Sequence, residues 1–171
     1  HNVYLYTINK DTLKDINSLH KNLKYFPEEI DVPKNVIASS NLDECLKDCQ
    51  MIIHAIPVQN SYEFMKKKAA KIPDNIPYII SSKGILLQQK KFFSDVWFDI
   101  FPIERNIKHC VLSGPSFAIE LMKNNPTVIT MACNDLKTGK YVQNMLHTSN
   151  FKTYITTDVK GVEIGGALKN P

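Results

Sequence analysis

No apolar run in the 171 residues approaches the roughly 20 residues needed to cross a bilayer. A membrane span is therefore not expected, and no opening segment reads as a secretory signal. C-x-x-C is missing, and Cys45, Cys49, Cys110 and Cys133 are not spaced with histidine as zinc ligands are. Reduced thiols and no metal site are expected, as in an intracellular, non-secreted domain. Charge is close to balanced, at 21 basic against 17 acidic residues and a net +4. The lysines are scattered rather than gathered into an arm, which speaks against a nucleic-acid partner. Internal repeats and low-complexity tracts are absent as well. With 43% hydrophobic residues, the chain can bury a core without staples.

What is present is an alternation of strand-like and helix-like segments. Residues 2–8 (NVYLYTI), 35–38 (NVIA), 51–56 (MIIHAI), 77–81 (PYIIS), 110–112, 127–132 and 151–155 read as strands. The near-continuous apolar runs at 51–56 and 77–81 are what strands buried on both faces look like. Between them lie helical patterns at about 11–20, with Asp11 as cap, 42–49, capped by Ser40 or Asn41, and 61–71. Further helical patterns span 91–101, from the Ser113–Ser116 turn to about 123, 135–146 and, after Asp158, a final segment to Asn170. Such alternation predicts an α/β fold with a mainly parallel sheet. In these sheets ligands bind beyond the carboxyl ends of the strands.

A dinucleotide fold opens with a strand and G-x-G-x-x-G, which seats pyrophosphate on a helix N-terminus. That motif is not found here, since Gly161, Gly165 and Gly166 have the wrong spacing. If the fold is of that kind, its first βα unit is missing and His1 opens the second strand.

Candidate residues gather at the expected strand ends. Lys83-Gly84 follows a buried strand and either points into the ligand crevice or forms a solvated turn. The turn Ser113-Gly114-Pro115-Ser116 leads into a helix. Gly114 allows close backbone approach and Pro115 suits a first helical turn. Amides there and the Ser116 hydroxyl would face an anion or a substrate hydroxyl, unless the turn is simply capped. It is not a serine-hydrolase elbow, because the second glycine is missing. The segment GVEIGGALKN puts three glycines on a helical stretch, at a cost of about 1 kcal/mol per interior glycine. Close packing against another element, or against a ligand, would offset that. Lys169 ends it either as an acid–base group or as an ordinary terminal lysine. His54, inside an apolar run, reads as a satisfied core histidine. Phe92, Phe93, Trp97, Phe98 and Phe101 read as a core stripe.

Taken in order, HNVYLYTIN, NLKYFP, VPKNVIASSNLDECLKDCQMIIHAIPVQ, SSKGI, LSGPSFAIEL, PTVITMAC and FKTYITTDVKGVEIGGALKN resemble NAD(P)-dependent glycerol-3-phosphate dehydrogenases of the bacterial and plastid type. The resemblance implies a Rossmann-like, doubly wound α/β domain. Residues 1–171 would be a partial N-terminal dinucleotide-binding domain ending at the start of the interdomain helix. The family's first βα unit and C-terminal helical domain are absent. It implies NAD or NADP as cofactor, a small phosphate ester as substrate, a homodimer, and a cytoplasmic or organellar (plastid) location. Lys169 would be the catalytic acid–base group. Lys83 would contact substrate and cofactor. Gly114, Ser116 and Asn170 would hold substrate, and Ala118 and Tyr25 would contact cofactor. At the usual coenzyme-selecting position, Thr7-Ile8-Asn9-Lys10 carries no acidic residue, and Lys10 suits a 2′-phosphate. The fragment itself is expected to be inactive, and Pro171 departs from the family helix that continues past Lys169-Asn170. Competing readings are another dehydrogenase of the same superfamily and a non-catalytic dinucleotide-like binding or assembly module.

Overall fold

The structure is a computed structural model that describes residues 1–26 and 30–168. It divides into two compact units, His1–Cys49 and Gln50–Pro171.

In the first unit β1 (Val3–Tyr6) runs parallel to β2 (Val36–Ser39), with Val3 opposite Val36 and Tyr6 opposite Ser39. The helix α1 (Lys10–Lys14) is capped by Asn9, not Asp11, because the Asn9 side chain accepts from the Thr12 N–H at 2.9 Å. One π-helical turn, Asp15–Leu19, continues it. There the Asn17 amide donates to the Ala38 carbonyl and accepts from the Ala38 N–H, both at 2.8 Å, mimicking a strand neighbour for β2. Asn41 caps α2 (Leu42–Leu46). This helix stops short of the expected residue 49, since Lys47 is extended and Asp48 turns to φ 55°. Ile16, Val32 and Ala38 form a small core with Leu13 and Val36.

The second unit is a five-stranded sheet in the order β3 (Ile52–His54), β4 (Tyr78–Ile80), β5 (His109–Ser113), β6 (Thr127–Ala132), β7 (Phe151–Thr156). All neighbours are parallel except β5 and β6. Thus the mainly parallel α/β expectation holds, with one reversal the sequence pattern did not signal. β4 is buried throughout, as its composition predicts. β3 is not buried on both faces, because Ile53 is 49% exposed and the strand pairs within this unit only with β4.

The helix α3 (Val58–Lys68) starts directly after Pro57, earlier than the periodicity suggests. The aromatic stripe expected as one helix is instead a 3-10 turn, Phe93–Val96, followed by α4 (Trp97–Ile100). Its burial is as expected. Phe93, Trp97 and Phe101 are inside, with Trp97 and Phe101 centroids 4.5 Å apart, while Phe98 faces out. α5 (Ala118–Met122) begins only at Ala118, so Pro115 precedes the helix rather than opening it. α6 (Leu136–Leu146) is capped by Asp135. α7 (Val159–Leu168) is capped by Asp158, which accepts from the Gly161 N–H at 2.8 Å.

His54 is a satisfied core residue. Its Nδ1 and Nε2 each lie 2.8 Å from a hydroxyl, those of Tyr78 and Ser61. The ring stacks on Phe93 at 5.1 Å, and burial pushes its pKa down to about 4. Around Ile79, Cys110, Met131, Cys133 and Val142 lies the sheet's other core, all completely buried. Burying each such side chain contributes about 1.5–3 kcal/mol. All four cysteines are free thiols.

Candidate active site

Because β4 and β5 are parallel neighbours, their carboxyl ends open side by side. The stretch after β4 carries Ser82, Lys83 and Gly84; the stretch after β5 carries Gly114 and Ser116. Ser113 and Lys83 lie against Gly166 of α7, and a cleft forms between Ser82, Lys83, Gly84, Ser113, Glu163 and Gly166, with Phe93 and Val111 also lining it. Lys83 is half-buried, and its ammonium donates to the Gly114 carbonyl at 3.5 Å. Lys83 and Gly114, separated by 31 residues, are thus brought together as expected.

Glycine is required here by proximity. A Cβ on Gly114 would sit 3.0 Å from Ile129 Cγ1 and 3.2 Å from the Ile129 Cα. Gly84 adopts φ +115°, a region that L side chains avoid. A Cβ on Gly166 would lie 2.6 Å from Ser113 Oγ, so this glycine lets α7 press onto the end of β5. Of the other two helical glycines, Gly161 leaves room for the Asp158 cap, and Gly165 meets nothing among the described residues.

Ser116 is half-buried. Its amide is spent on the Gly114 carbonyl at 2.9 Å, so that N–H is not offered to an anion, contrary to expectation. The hydroxyl makes no hydrogen bond among the described residues and keeps its donor. Ala118 opens α5 and is exposed. Tyr25 belongs to the first unit, 66% exposed, with the Lys24 ammonium 5.2 Å from its ring centre. Lys169 and Asn170 follow Leu168 in the chain and lie outside the described residues.

Two cleft residues were not singled out from the sequence. Ser82 Oγ is buried with no hydrogen-bond partner among the described residues. An orphaned buried hydroxyl costs about 1–3 kcal/mol, a cost that a bound ligand would relieve. Glu163 is 8% exposed and accepts from the Ser94 N–H at 3.1 Å and the Ser94 hydroxyl at 2.5 Å. The Lys160 ammonium stands 4.0 Å away. These bonds pin α7 to the 3-10 turn before α4. Only the S-S-K-G and G-V-E-I-G-G strings hinted at either.

An α/β sheet with a ligand crevice beyond the carboxyl ends of its parallel strands places the molecule among Rossmann-like nucleotide-binding domains. A family model described as NAD-dependent glycerol-3-phosphate dehydrogenase N-terminus matches residues 1–139, and the chain belongs to that family. A glycerol-3-phosphate dehydrogenase (NAD(P)+) of Lysinibacillus sphaericus is 34% identical over 170 residues, covering 99% of this chain and 50% of that protein. The chloroplastic glycerol-3-phosphate dehydrogenase (NAD(+)) 2 of Arabidopsis thaliana is 41% identical over 160 residues, 92% of this chain and 37% of that protein. Among solved structures, a glycerol-3-phosphate dehydrogenase of Plasmodium falciparum superposes with TM-score 0.86 at 26% identity, over 99% of this chain and 47% of that one. The Coxiella burnetii enzyme shares the fold, at TM-score 0.88 and 24% identity, over 99% of this chain and 50% of that one. The chain spans about half the length of the curated relatives it matches. Among the described residues no helix is long and apolar enough to cross a membrane.

Proposed function

We propose that this chain supplies the cofactor-side half of an enzyme that moves hydride reversibly between C2 of sn-glycerol 3-phosphate and NAD or NADP, giving dihydroxyacetone phosphate. Residues 1–171 are read as part of its N-terminal dinucleotide-binding domain. Activity is assigned to the longer polypeptide, working as a homodimer in the cytoplasm or a plastid.

One observation carries the reading. Lys83 and the Ser82 hydroxyl, which has no partner among the described residues, share one cleft at the strand ends where such folds bind ligands, and the Lys83 ammonium reaches the Gly114 carbonyl beside it. The residues present suit a nicotinamide dinucleotide and a phosphate ester. A cation balances anionic ligands, glycines permit close approach, and an unspent hydroxyl awaits a partner. When bound, the nicotinamide ring supplies the hydride acceptor or donor. The protein's part is to bind, orient and move a proton. Lys83 holds the ligands' negative charge and orients the C2 oxygen. Ser116 offers its hydroxyl to the substrate, Gly114 lets it approach closely for want of a side chain, and Asn170 helps fix the substrate. Ala118 and Tyr25 are assigned to the cofactor. Lys169 takes the C2 hydroxyl proton in oxidation and returns it in reduction, which requires an amine that is neutral part of the time.

The test uses the intact protein, wild type and Lys169→Ala, with dihydroxyacetone phosphate and either NADH or NADPH. Turnover is expected to fall by about 10²-fold or more in the variant while nucleotide binding persists. No turnover with either nucleotide from a folded wild-type protein would overturn the reading.

A further inference from the structure

Helix α7 inverts the usual order of burial. Ile164 and Leu168 are 45% and 70% exposed, while Glu163, the helix's one carboxylate, is buried. Glutamate is rarely buried unless it is paired, and local rules of this kind are broken mostly at functional sites. The buried positions Val159, Glu163 and Gly166 have the spacing of a single helical face. Glu163 and Gly166 both line the cleft.

Glu163 is held from outside its own helix. Its carboxylate takes both the N–H and the hydroxyl of Ser94. Ser94 is a firm anchor, because its neighbour Phe93 is 1% exposed and stacks on His54. A second tie, the ion pair of Lys160 with Asp95, is exposed and contributes little. The buried pair of bonds therefore sets the rotation of α7 and its place along its own axis.

That setting matters one turn further on. A Cβ built on Gly166 would lie 3.6 Å from the Lys83 Cγ, so the helix backbone rests on the Lys83 stem while the ammonium reaches the Gly114 carbonyl. Lys169 comes directly after Leu168 in the chain. The position of α7 thus also sets the point from which the chain reaches Lys169.

We infer that Glu163 is a positioning residue for hydride transfer: through Ser94 it seats α7 so that Lys83 and Lys169 stand in register with the ligands. An apolar side chain of similar volume would fill the same place without loss of stability, but would leave the helix free to settle elsewhere. The role rests on the dehydrogenase reading proposed above.

The experiment uses the intact protein with dihydroxyacetone phosphate and whichever of NADH and NADPH it turns over. It follows kcat, the Kd for the nucleotide and the melting temperature. Glu163→Leu keeps the volume and removes the tie. Its melting temperature is expected to match or exceed that of wild type, while kcat falls by about 10²-fold, the cost of a displacement of about 1 Å. The nucleotide Kd is expected to stay nearly unchanged. Glu163→Gln is expected to retain most of the kcat, since its amide oxygen accepts from the Ser94 N–H and its amide nitrogen donates to the Ser94 hydroxyl. Ser94→Ala removes one of the two bonds, is expected to lower kcat several-fold, and decides the matter if Glu163→Leu does not fold. Wild-type kcat in Glu163→Leu, or in Ser94→Ala where that variant decides, would overturn the role and leave the dehydrogenase reading in place. So would an equal loss in Glu163→Gln and Glu163→Leu, or a kcat that merely tracks melting temperature across the variants. No turnover by wild type would overturn both.

Discussion

His54 shows how one side chain ties burial to pH. The neutral ring has one donor and one acceptor nitrogen, and two hydroxyls satisfy both. Protonation would give it two donors and a charge with no carboxylate beside it. Burial disfavours that charge and pushes the pKa from 6.5 down to about 4, as it does for His109. Below pH 6.5 the unfolded chain takes up protons that the folded chain refuses. Stability is therefore complete above 6.5 and is lost as pH falls toward 4, where the slope ends. The upper limit is about 1.4 kcal/mol per pH unit for each histidine. Urea denaturation between pH 7 and 4.5 is expected to show this decline. His54→Leu, although less stable at pH 7, is expected to show about half the slope. An equal slope in the variant would mean that other groups carry the titration.

The helix α7 separates two uses of glycine that look alike in sequence. Gly165 and Gly166 are adjacent, yet a Cβ on the first meets nothing among the described residues while one on the second strikes Ser113. Gly165→Ala is therefore expected to stabilise the protein by about 1 kcal/mol, the ordinary helix propensity difference. Gly166→Val is expected to destabilise it by about 1–3 kcal/mol through overpacking, seen as melting temperatures that move in opposite directions. The sequence pattern identified the crowded segment but not which glycine does the packing, since that depends on where β5 ends beneath the helix. The same limit applies to other elements. β4 was legible because a short apolar run between turn residues suits little besides a strand covered on both faces. β3 has a similar run, and composition alone does not distinguish an inner strand from one with a half-exposed face. The aromatics between 92 and 101 announced burial, but their fourfold spacing suits a 3-10 turn plus a short helix as well as one long helix.

At the scale of the whole molecule, the alternation of strands and helices was enough to predict a mainly parallel sheet. That topology then told where Lys83 and Gly114 would meet. Glu163 and Ser82 were beyond this reasoning. Glu163 finds Ser94 across 69 residues, and nothing in S-S-K-G says which serine hydroxyl will be buried. Ser82 is also where fold and function pull apart. Its hydroxyl is buried without a partner among the described residues, beside a cleft of about 10 Å³. Natural proteins retain such groups where a bound ligand satisfies them and lose stability for it otherwise. Ser82→Ala removes the orphaned hydroxyl and leaves the backbone of the turn intact. The ligand-free variant is expected to gain about 1 kcal/mol, with a higher melting temperature. The Kd for NADH, or the KM for dihydroxyacetone phosphate, is expected to rise several-fold. Which of the two constants moves tells which ligand the hydroxyl meets. If stability drops instead, the hydroxyl has a partner in the free protein. If neither constant moves, Ser82 serves packing alone.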